Sequence, residues 1–188
     1  MIRKDIVLYS HPIPHEDVLR IIENASSINR FVSLASKDDS KANGTDQDLD
    51  DYYAFSKQKV NVAEDFDSFV NEDIYQIMCG GYKNEYDALM KDVEGAQITA
   101  WWNRAVDIIP AGGGKGNGIH KVLEYYHFTP EEAIAFGDGT NDIEMLEAVG
   151  TGVAMGNATD NVKAIADDIC LSVSEDGVYH YCLDHKLI

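Results

Sequence analysis

Two carboxylates four positions apart are the residues in this sequence whose type and spacing best fit metal chemistry. Asp138 and Asp142 lie in the hexapeptide GDGTND, residues 137–142, which directly follows the apolar run 133–136. Glycines allow a tight turn, and carboxylates supply the hard oxygen ligands that Mg²⁺ prefers while leaving positions for water and phosphate. The pattern therefore indicates a magnesium site at the end of a strand. The alternative is that both aspartates only cap the following helix.

A lysine inside a glycine-rich loop is the second candidate. Lys115 follows three glycines, residues 112–114, and precedes Gly116. A cation at the start of a helix can contact a phosphoryl oxygen, and the helix N-terminal amides add to the attraction. The loop is not a Walker A motif, because Gly116 stands where Ser or Thr is required, and it does not fit a dinucleotide-binding fingerprint. A solvated surface lysine remains the alternative.

Alternating strands and helices must position these residues. A parallel sheet follows from such alternation, and in parallel sheets ligands collect at the carboxyl ends of strands, where Asp138 falls. Residues 36–51 contain six aspartates and little apolar content, so we predict an exposed loop there. We predict helices from Pro14 to about Ala25, at 82–92, at 116–127, between Gly139 and Ala148 and at 159–167, and strands at 4–9, 30–35, 74–79, 97–101, 105–109, 133–136, 152–155 and 169–171.

The composition argues against two classes of partner. Fifteen basic residues against 33 acidic ones give a formal net charge of -18, which repels nucleic acid backbones and anionic lipid surfaces. No apolar run is long enough to cross a bilayer. The three cysteines, Cys79, Cys170 and Cys182, show no motif spacing and sit in or beside apolar runs. We therefore expect reduced thiols, a cytoplasmic protein, and neither nucleic acid nor membrane as a partner.

The C-terminal 80 residues resemble a known enzyme family. Residues 109–188, from IIPAGGGKGNGIHKVL through EEAIAFGDGTNDIEMLEAVGTGVAMGNATDNVKAIADDI to EDGV, are similar to the C-terminal part of Cof-type phosphatases in the haloacid dehalogenase (HAD) superfamily. The resemblance implies an α/β fold, with a HAD-like (Rossmann-like) parallel-sheet core and an inserted α/β cap domain. The resemblance implies that residues 13–108 form the cap that selects the substrate and that residues 109–188 form the C-terminal part of the core. Residues 1–12 would then be a core remnant or linker.

The resemblance also implies a role for each candidate residue. Lys115 corresponds to the catalytic lysine that steadies nucleophile and phosphate, and Asn141 to a catalytic residue that contacts the phosphate or that lysine. Asp138 and Asp142 correspond to the metal site, Asp142 acting directly or through water. Gly139 joins Lys115 and Asn141 in phosphate binding. Residues 152–158, GVAMGNA, match a strand and turn that we interpret as architecture rather than chemistry.

The implied reaction is the Mg²⁺-dependent hydrolysis of a small phosphomonoester, such as a sugar phosphate, through an aspartyl-phosphate. Family members begin with a strand that ends in DxDGT, which supplies the nucleophile, and no such motif occurs in this sequence. Asp65 and Asp67 have the DxD spacing, but an ordinary acidic turn near a helix start explains them better. We therefore expect a truncated phosphatase chain without a nucleophile, inactive alone. The alternative is a catalytically inactive HAD-like protein that binds Mg²⁺ and phosphate or a partner subunit.

The missing first strand has a structural consequence. In this fold it would lie beside the strand at 133–136, so we predict that this strand presents an open apolar edge. Such an edge favours pairing, and we expect the isolated chain either to form a homodimer through it or to be marginally stable.

Three smaller groups allow weaker functional interpretations. His11 and His15 are four residues apart, but prolines interrupt the helix that would align them for zinc. His180, Cys182 and His185 lack a fourth ligand, so packing explains them better. The pair at 101–102, two tryptophans, could form a substrate platform, although adjacent aromatics more often serve core and interface.

Overall fold

The chain folds into two compact units. The computed structural model describes residues 2–3 and 6–188, with side chains from residue 7 onward. His11–Gly113 form one unit, which we call the antiparallel unit, and the described residues up to Ser10 together with Gly114–Ile188 form the other, which we call the parallel unit. The whole predicted cap, 13–108, falls within the antiparallel unit, and its role in choosing a substrate stays a prediction.

Short strands and helices follow one another along the described chain. The strands are β1 (Ile2–Arg3), β2 (Ile6–Val7), β3 (Val32–Ala35), β4 (Ser40–Ala42), β5 (Gln76–Gly80), β6 (Ala96–Thr99), β7 (Ala105–Pro110), β8 (Ile134–Gly137), β9 (Thr151–Ala154) and β10 (Asp168–Ile169). The α-helices are α1 (His15–Ser27), α2 (Gln47–Phe55), α3 (Phe66–Phe69), α4 (Tyr86–Leu89), α5 (Lys115–Tyr126), α6 (Ile143–Glu147), α7 (Asp160–Ile165) and α8 (Gly177–Asp184). Single 3₁₀ turns occupy Lys83–Glu85, Pro130–Glu132, Thr140–Asp142 and Val173–Glu175.

A five-stranded antiparallel sheet forms the centre of the antiparallel unit. Its strand order is β4-β3-β5-β7-β6, and every neighbouring pair is antiparallel. Helix α1 packs on one face because Val18, Ile21 and Ala25 recur at helical spacing and are buried there, together with Leu34 and Ile108 from the strands. The predicted helix starting at Pro14 is therefore confirmed.

On the opposite face of this sheet, the structure contradicts the prediction for residues 36–51. That prediction of an exposed loop was wrong, because the segment contains β4 and the first half of α2. Asp46 caps α2 by accepting a hydrogen bond from the backbone N–H of Leu49 at 2.9 Å, and Leu49 is fully buried. Asp48 is also buried, between Arg30 and Arg104. The acidic composition suggested a solvated loop, but some of the carboxylates in this segment form ion pairs or hydrogen bonds within the unit, which allows a helix to form there.

A three-stranded parallel sheet organises the parallel unit. The order is β10-β9-β8, with β8 parallel to β9 and β9 parallel to β10. Helices α5, α6 and α7 accompany these strands, and their core includes Leu146, Val162 and Ala154. The predicted parallel α/β arrangement is confirmed here. Within the described residues β8 is an edge strand of this sheet, with Ile134 38% exposed.

Two of the remaining predictions were only partly right. The predicted strand at 4–9 lies partly outside the described residues, and its described part contains β2, which pairs with β1 in a separate two-stranded sheet. The predicted helix at 82–92 is shorter, being a 3₁₀ turn followed by the four residues of α4. Among the residues that the structure describes, no helix has the length and apolar character needed to cross a bilayer.

Candidate functional site: the acidic turn after β8

The turn that follows β8 is held together by one buried carboxylate. Asp142 is 5% exposed, and its Oδ2 accepts hydrogen bonds from the backbone N–H groups of Asp138 at 3.0 Å and Gly139 at 3.1 Å. Gly137 allows this arrangement, since a Cβ at that position would stand 2.6 Å from the Cβ of Asp142. The glycine and the second aspartate of the motif are therefore parts of one compact turn.

Lys115 reaches the same carboxylate from the first residue of α5. Its ammonium group donates to Oδ1 of Asp142, which joins two residues that are 27 positions apart. The preceding Gly114 has a φ of 117°, a left-handed backbone conformation that glycine adopts without strain. The Lys115 side chain is 49% exposed, so a ligand can approach it.

The surroundings of Asp142 keep it ionised. Burial by itself would raise the pKa of its carboxyl group, but the ammonium group of Lys115 and the backbone amides of Gly139 and Asp138 outweigh that effect. The net result is a pKa below the ordinary value of 3.8. Asp142 is consequently a fixed negative charge that holds Lys115 in place.

Asp138 has a partner that the sequence interpretation missed. Its Oδ2 accepts a hydrogen bond from Nδ2 of Asn157 at 2.8 Å, and Oδ1 of Asn157 accepts from the backbone N–H of Val173 at 3.0 Å. Lys163 fixes the same loop by donating to the carbonyl oxygen of Gly156 at 2.7 Å. The interpretation of residues 152–158 as architecture leaves this contact out. The position of Asn157 could have indicated this contact. Asn157 follows β9, the parallel neighbour of β8, so it lies at the same edge of the sheet as Asp138.

Asn141 and Gly139 complete the turn. Asn141 is exposed, and its Oδ1 would stand 2.4 Å from a Cβ at position 139, so glycine at 139 leaves room for this side chain. Lys115, Asp138, Gly139, Asn141 and Asp142 are thus brought together within the parallel unit. Their catalytic and phosphate-binding roles stay predictions.

The donor set fits a magnesium ion at Asp138 better than at Asp142. Among residues 7–188, no three His, Cys, Asp or Glu side chains converge as a ready-made metal cluster. Asp138 is exposed, and among the described residues its Oδ1 has no hydrogen-bond partner, whereas both oxygens of Asp142 are engaged. Mg²⁺ uses one or two carboxylates and keeps several waters. Asp138 would therefore bind the ion directly, while Asp142 holds the turn and Lys115.

The weaker candidates have local contacts of their own. Asp65 caps α3 by accepting from the backbone N–H of Ser68 at 3.0 Å, which confirms the interpretation as a helix start. The imidazole of His11 lies 3.1 Å from the carbonyl oxygen of Ala111. His185 stacks on Tyr181, with ring centroids 3.9 Å apart. Burial raises the pKa of the Cys79 thiol to about 12, which suits a buried thiol that packs rather than reacts.

Comparison with known families agrees with this geometry. A family model described as haloacid dehalogenase-like hydrolase matches residues 1–182. The chain belongs to this family. The resemblance inferred from the residues around Lys115 and Asp138 is confirmed.

The chain is similar to named phosphatases and to a phosphatase of known structure. The putative phosphatase YkrA of Bacillus subtilis is 34% identical over 175 residues, which cover 92% of this chain and 66% of YkrA. The pyridoxal phosphate phosphatase YbhA of Escherichia coli is 36% identical over 188 residues, covering 97% of this chain and 60% of YbhA. The structure of the subclass IIB sugar phosphatase BT4131 superposes with a TM-score of 0.83 at 25% identity, covering 97% of this chain and 70% of that one. The chain thus spans about two thirds of the length of these relatives.

Proposed function

We propose that the protein is a Mg²⁺-dependent phosphatase that hydrolyses small phosphomonoesters such as sugar phosphates. The observation that carries this proposal is the contact of the Lys115 ammonium group with the Asp142 carboxylate, beside the exposed Asp138 on the same turn. A cation and an exposed carboxylate with one unpaired oxygen within one site suit an ion and a phosphoryl group together.

Each residue then has a definite task. Mg²⁺, when bound at Asp138, would neutralise charge on the phosphoryl oxygens. Asn157 orients Asp138 through its hydrogen bond to Oδ2. Lys115 binds a phosphoryl oxygen while Asp142 keeps its ammonium group in position, and Asn141 with the backbone of Gly139 contacts the phosphate. No residue of this chain is assigned as the nucleophile, because the sequence contains no DxDGT motif.

The substrate class rests on the names of relatives. YbhA is named for pyridoxal phosphate and BT4131 for sugar phosphates, and both compounds are small phosphomonoesters. The common part of these substrates is the phosphate, which is the part that the turn after β8 is suited to hold. A sugar phosphate is our preferred substrate.

A catalytically inactive protein that binds Mg²⁺ and phosphate, or a partner subunit, is the second candidate. Binding of Mg²⁺ and phosphate needs no nucleophile, and Lys115, Asp138 and Asp142 suffice for it. Both candidates require the same binding residues, so turnover is what separates them.

The first experiment measures binding of Mg²⁺, and then of inorganic phosphate, by titration calorimetry. Asp138→Ala should abolish Mg²⁺ binding, and Asn157→Ala should weaken it about tenfold, since it removes an orienting partner. Lys115→Met should abolish phosphate binding but leave Mg²⁺ binding intact. Lys121→Met removes another lysine of α5, whose side chain is 40% exposed, and serves as the control. Unchanged Mg²⁺ affinity in Asp138→Ala would refute the site.

The second experiment uses p-nitrophenyl phosphate with Mg²⁺. If the purified chain shows turnover and Asp138→Ala does not, the binding-only candidate is excluded. The expectation that the chain has no nucleophile would then be wrong as well. Mg²⁺ and phosphate binding without turnover would favour the inactive protein for this chain. Reading the coding DNA upstream of Met1 for an in-frame DxDGT then tests truncation.

The proposed setting is the cytoplasm, with a small phosphorylated metabolite as partner and neither nucleic acid nor membrane. The three cysteines, which form no disulfide in the described structure, and the net charge of -18 support this proposal.

A further inference from the structure

The segment after β10 runs beside the loop after β9 and reaches the acidic turn. The backbone N–H of Gly156 donates to the carbonyl oxygen of Leu171 at 3.2 Å. Further along this segment, the N–H of Val173 donates to Oδ1 of Asn157 at 3.0 Å, and Nδ2 of Asn157 donates to Oδ2 of Asp138 at 2.8 Å. The segment after β10 is therefore linked to Asp138 through one side chain.

Two glycines keep this segment close to its neighbours. A Cβ on Gly156 would stand 2.7 Å from the backbone nitrogen of Ser172, and a Cβ on Gly177 would stand 2.0 Å from the carbonyl oxygen of Leu171. These two atoms belong to the same peptide bond. Because a side chain at either glycine would displace that peptide bond, the glycines fix the path of the chain just before Val173.

Glu175 holds the next peptide bond of the segment. Its Oε2 accepts hydrogen bonds from the backbone N–H of Ser172 at 3.3 Å and from the Ser172 hydroxyl group at 2.6 Å. Its own N–H donates to the carbonyl oxygen of Ser172 at 3.0 Å. That carbonyl group and the N–H of Val173 belong to one planar peptide bond, so holding the first sets the direction of the second. The turn thus directs the Val173 N–H at Asn157.

The carboxyl group of Glu175 acts as an ionised acceptor in this turn. The hydrogen bonds from Ser172 hold the pKa of the Glu175 carboxyl group below its ordinary value of 4.5, so it is ionised at neutral pH. Hydrogen bonds to an ionised acceptor are stronger than those between neutral groups. The two side chains therefore fix the turn although Glu175 is exposed.

We propose that Ser172 and Glu175 are positioning residues for the metal site. They fix the N–H of Val173, this N–H holds Asn157, and Asn157 keeps Oδ1 of Asp138 available to Mg²⁺. Neither Ser172 nor Glu175 contacts the ion or the phosphate. Their effect is on the orientation of the one carboxylate that binds the ion.

This role rests on the proposed Mg²⁺ site at Asp138 and extends that site to the sequence EDGV, residues 175–178. The family resemblance includes this sequence but implies no role for it. Glu175 supplies the carboxylate of the turn, and Gly177 leaves the space that the segment needs. All of these residues lie in the parallel unit.

The test measures Mg²⁺ binding to the full chain by titration calorimetry. Glu175→Ala should weaken Mg²⁺ binding about threefold, which is less than the effect of Asn157→Ala, because Glu175 acts through two further hydrogen bonds. Ser172→Ala should weaken it to a similar extent. Glu175→Gln and Ser172→Thr keep the acceptor and the hydroxyl group of the turn, so both should restore most of the wild-type affinity.

A double variant shows whether the effect passes through Asn157. The variant that combines Asn157→Ala with Glu175→Ala should bind Mg²⁺ as weakly as Asn157→Ala alone, because the link to Asp138 is already broken. Glu132→Ala is the matched control. Glu132 closes the 3₁₀ turn Pro130–Glu132 in the same way, by accepting from the backbone N–H of Thr129 at 2.9 Å, and its loss should leave the Mg²⁺ affinity unchanged.

A second readout needs no metal ion. In ¹H–¹⁵N spectra of the metal-free chain, the side-chain amide signals of Asn157 are identified by their loss in Asn157→Ala. These signals should shift in Glu175→Ala and stay in place in Glu132→Ala.

Three results would overturn the positioning role: a Mg²⁺ affinity that is unchanged in Glu175→Ala, Asn157 amide signals that do not shift in it, or losses that add up in the double variant. Each of these leaves the Mg²⁺ site at Asp138 standing. A wild-type chain that binds no Mg²⁺ would refute the proposed function and the positioning role together, so the two failures are distinguishable.

Discussion

Asp142 shows how one side chain can serve both the fold and the chemistry of a site. Its Oδ2 binds two backbone amides of the turn after β8, and its Oδ1 binds Lys115 from α5. A carboxylate with both oxygens occupied is a poor direct ligand for a metal ion. The neighbouring Asp138, oriented by Asn157, is free to take that role.

The lowered pKa of Asp142 predicts how stability depends on pH. A carboxyl group whose pKa is lower in the folded state stabilises that state above its ordinary pKa of 3.8, and the contribution is lost as the pH falls through the lowered value. We expect wild type to exceed Asp142→Asn in free energy of unfolding at pH 7, and the difference to shrink as the pH falls below about 3.8. Urea unfolding between pH 7 and pH 2.5 measures it.

The control for this comparison is Glu147→Gln, which alters an exposed acid at the end of α6. It should follow the wild-type curve closely. A gap between wild type and Asp142→Asn that stays constant down to pH 2.5 would show that the Asp142 charge is not linked to folding.

Helix α2 illustrates what ionic pairing does at the scale of an element. Asp48, in its first turn, binds Arg30 at 2.7 Å and Arg104 at 2.6 Å, so one carboxylate ties the helix to two distant parts of the antiparallel unit. Burial by itself would raise the pKa of Asp48, but the two guanidinium groups lower it overall. Helix α2 also supplies Leu49 to the core, so this pairing positions an apolar contact as well.

Removing the Asp48 carboxylate should therefore be costly. Asp48→Ala leaves Arg30, whose side chain is only 14% exposed, without its closest acceptor, and we expect a loss of about 3 kcal/mol in the free energy of unfolding. Asp38→Ala, at a side chain that is 79% exposed, should cost less than about 0.5 kcal/mol. Chemical denaturation of both variants provides the measurement, and equal losses would contradict the assigned role of Asp48.

Sequence reasoning succeeded where the pattern is local and failed where a distant partner decides. The spacing of Val18, Ile21 and Ala25 is enough to predict α1, and the apolar run before Asp138 predicts β8. The burial of Asp48 depends on Arg104, which is 56 residues away, so composition misled us about residues 36–51. The role of Asn157 was not predicted for a similar reason, since its hydrogen bond to Asp138 joins residues 19 positions apart.

At the scale of the whole molecule, the edge of β8 is the feature with the clearest consequence. Within the described residues β8 pairs only with β9, so its other side presents unpaired backbone groups next to apolar side chains. Such an edge favours pairing with another strand. We propose that two copies of this chain associate through it.

Sedimentation velocity over a range of concentrations tests the association. We expect dimers that dissociate on dilution, and Ile134→Lys should shift the equilibrium toward monomer by placing a charge at the edge. Ile165 has the same exposure, 38%, but lies on α7, so Ile165→Lys is the matched control and should leave the dimer intact. A chain that remains monomeric at every concentration would refute the proposal.

The path of the chain through its two units also sets an order of events during translation. The antiparallel unit is one uninterrupted stretch that ends at Gly113, whereas the parallel unit combines residues up to Ser10 with the stretch that starts at Gly114. A ribosome therefore synthesises every residue of the antiparallel unit before β8 and β9, and that unit emerges first. Because nascent domains fold as they emerge, the antiparallel unit can fold before β8 and β9 are available to the N-terminal residues of the parallel unit.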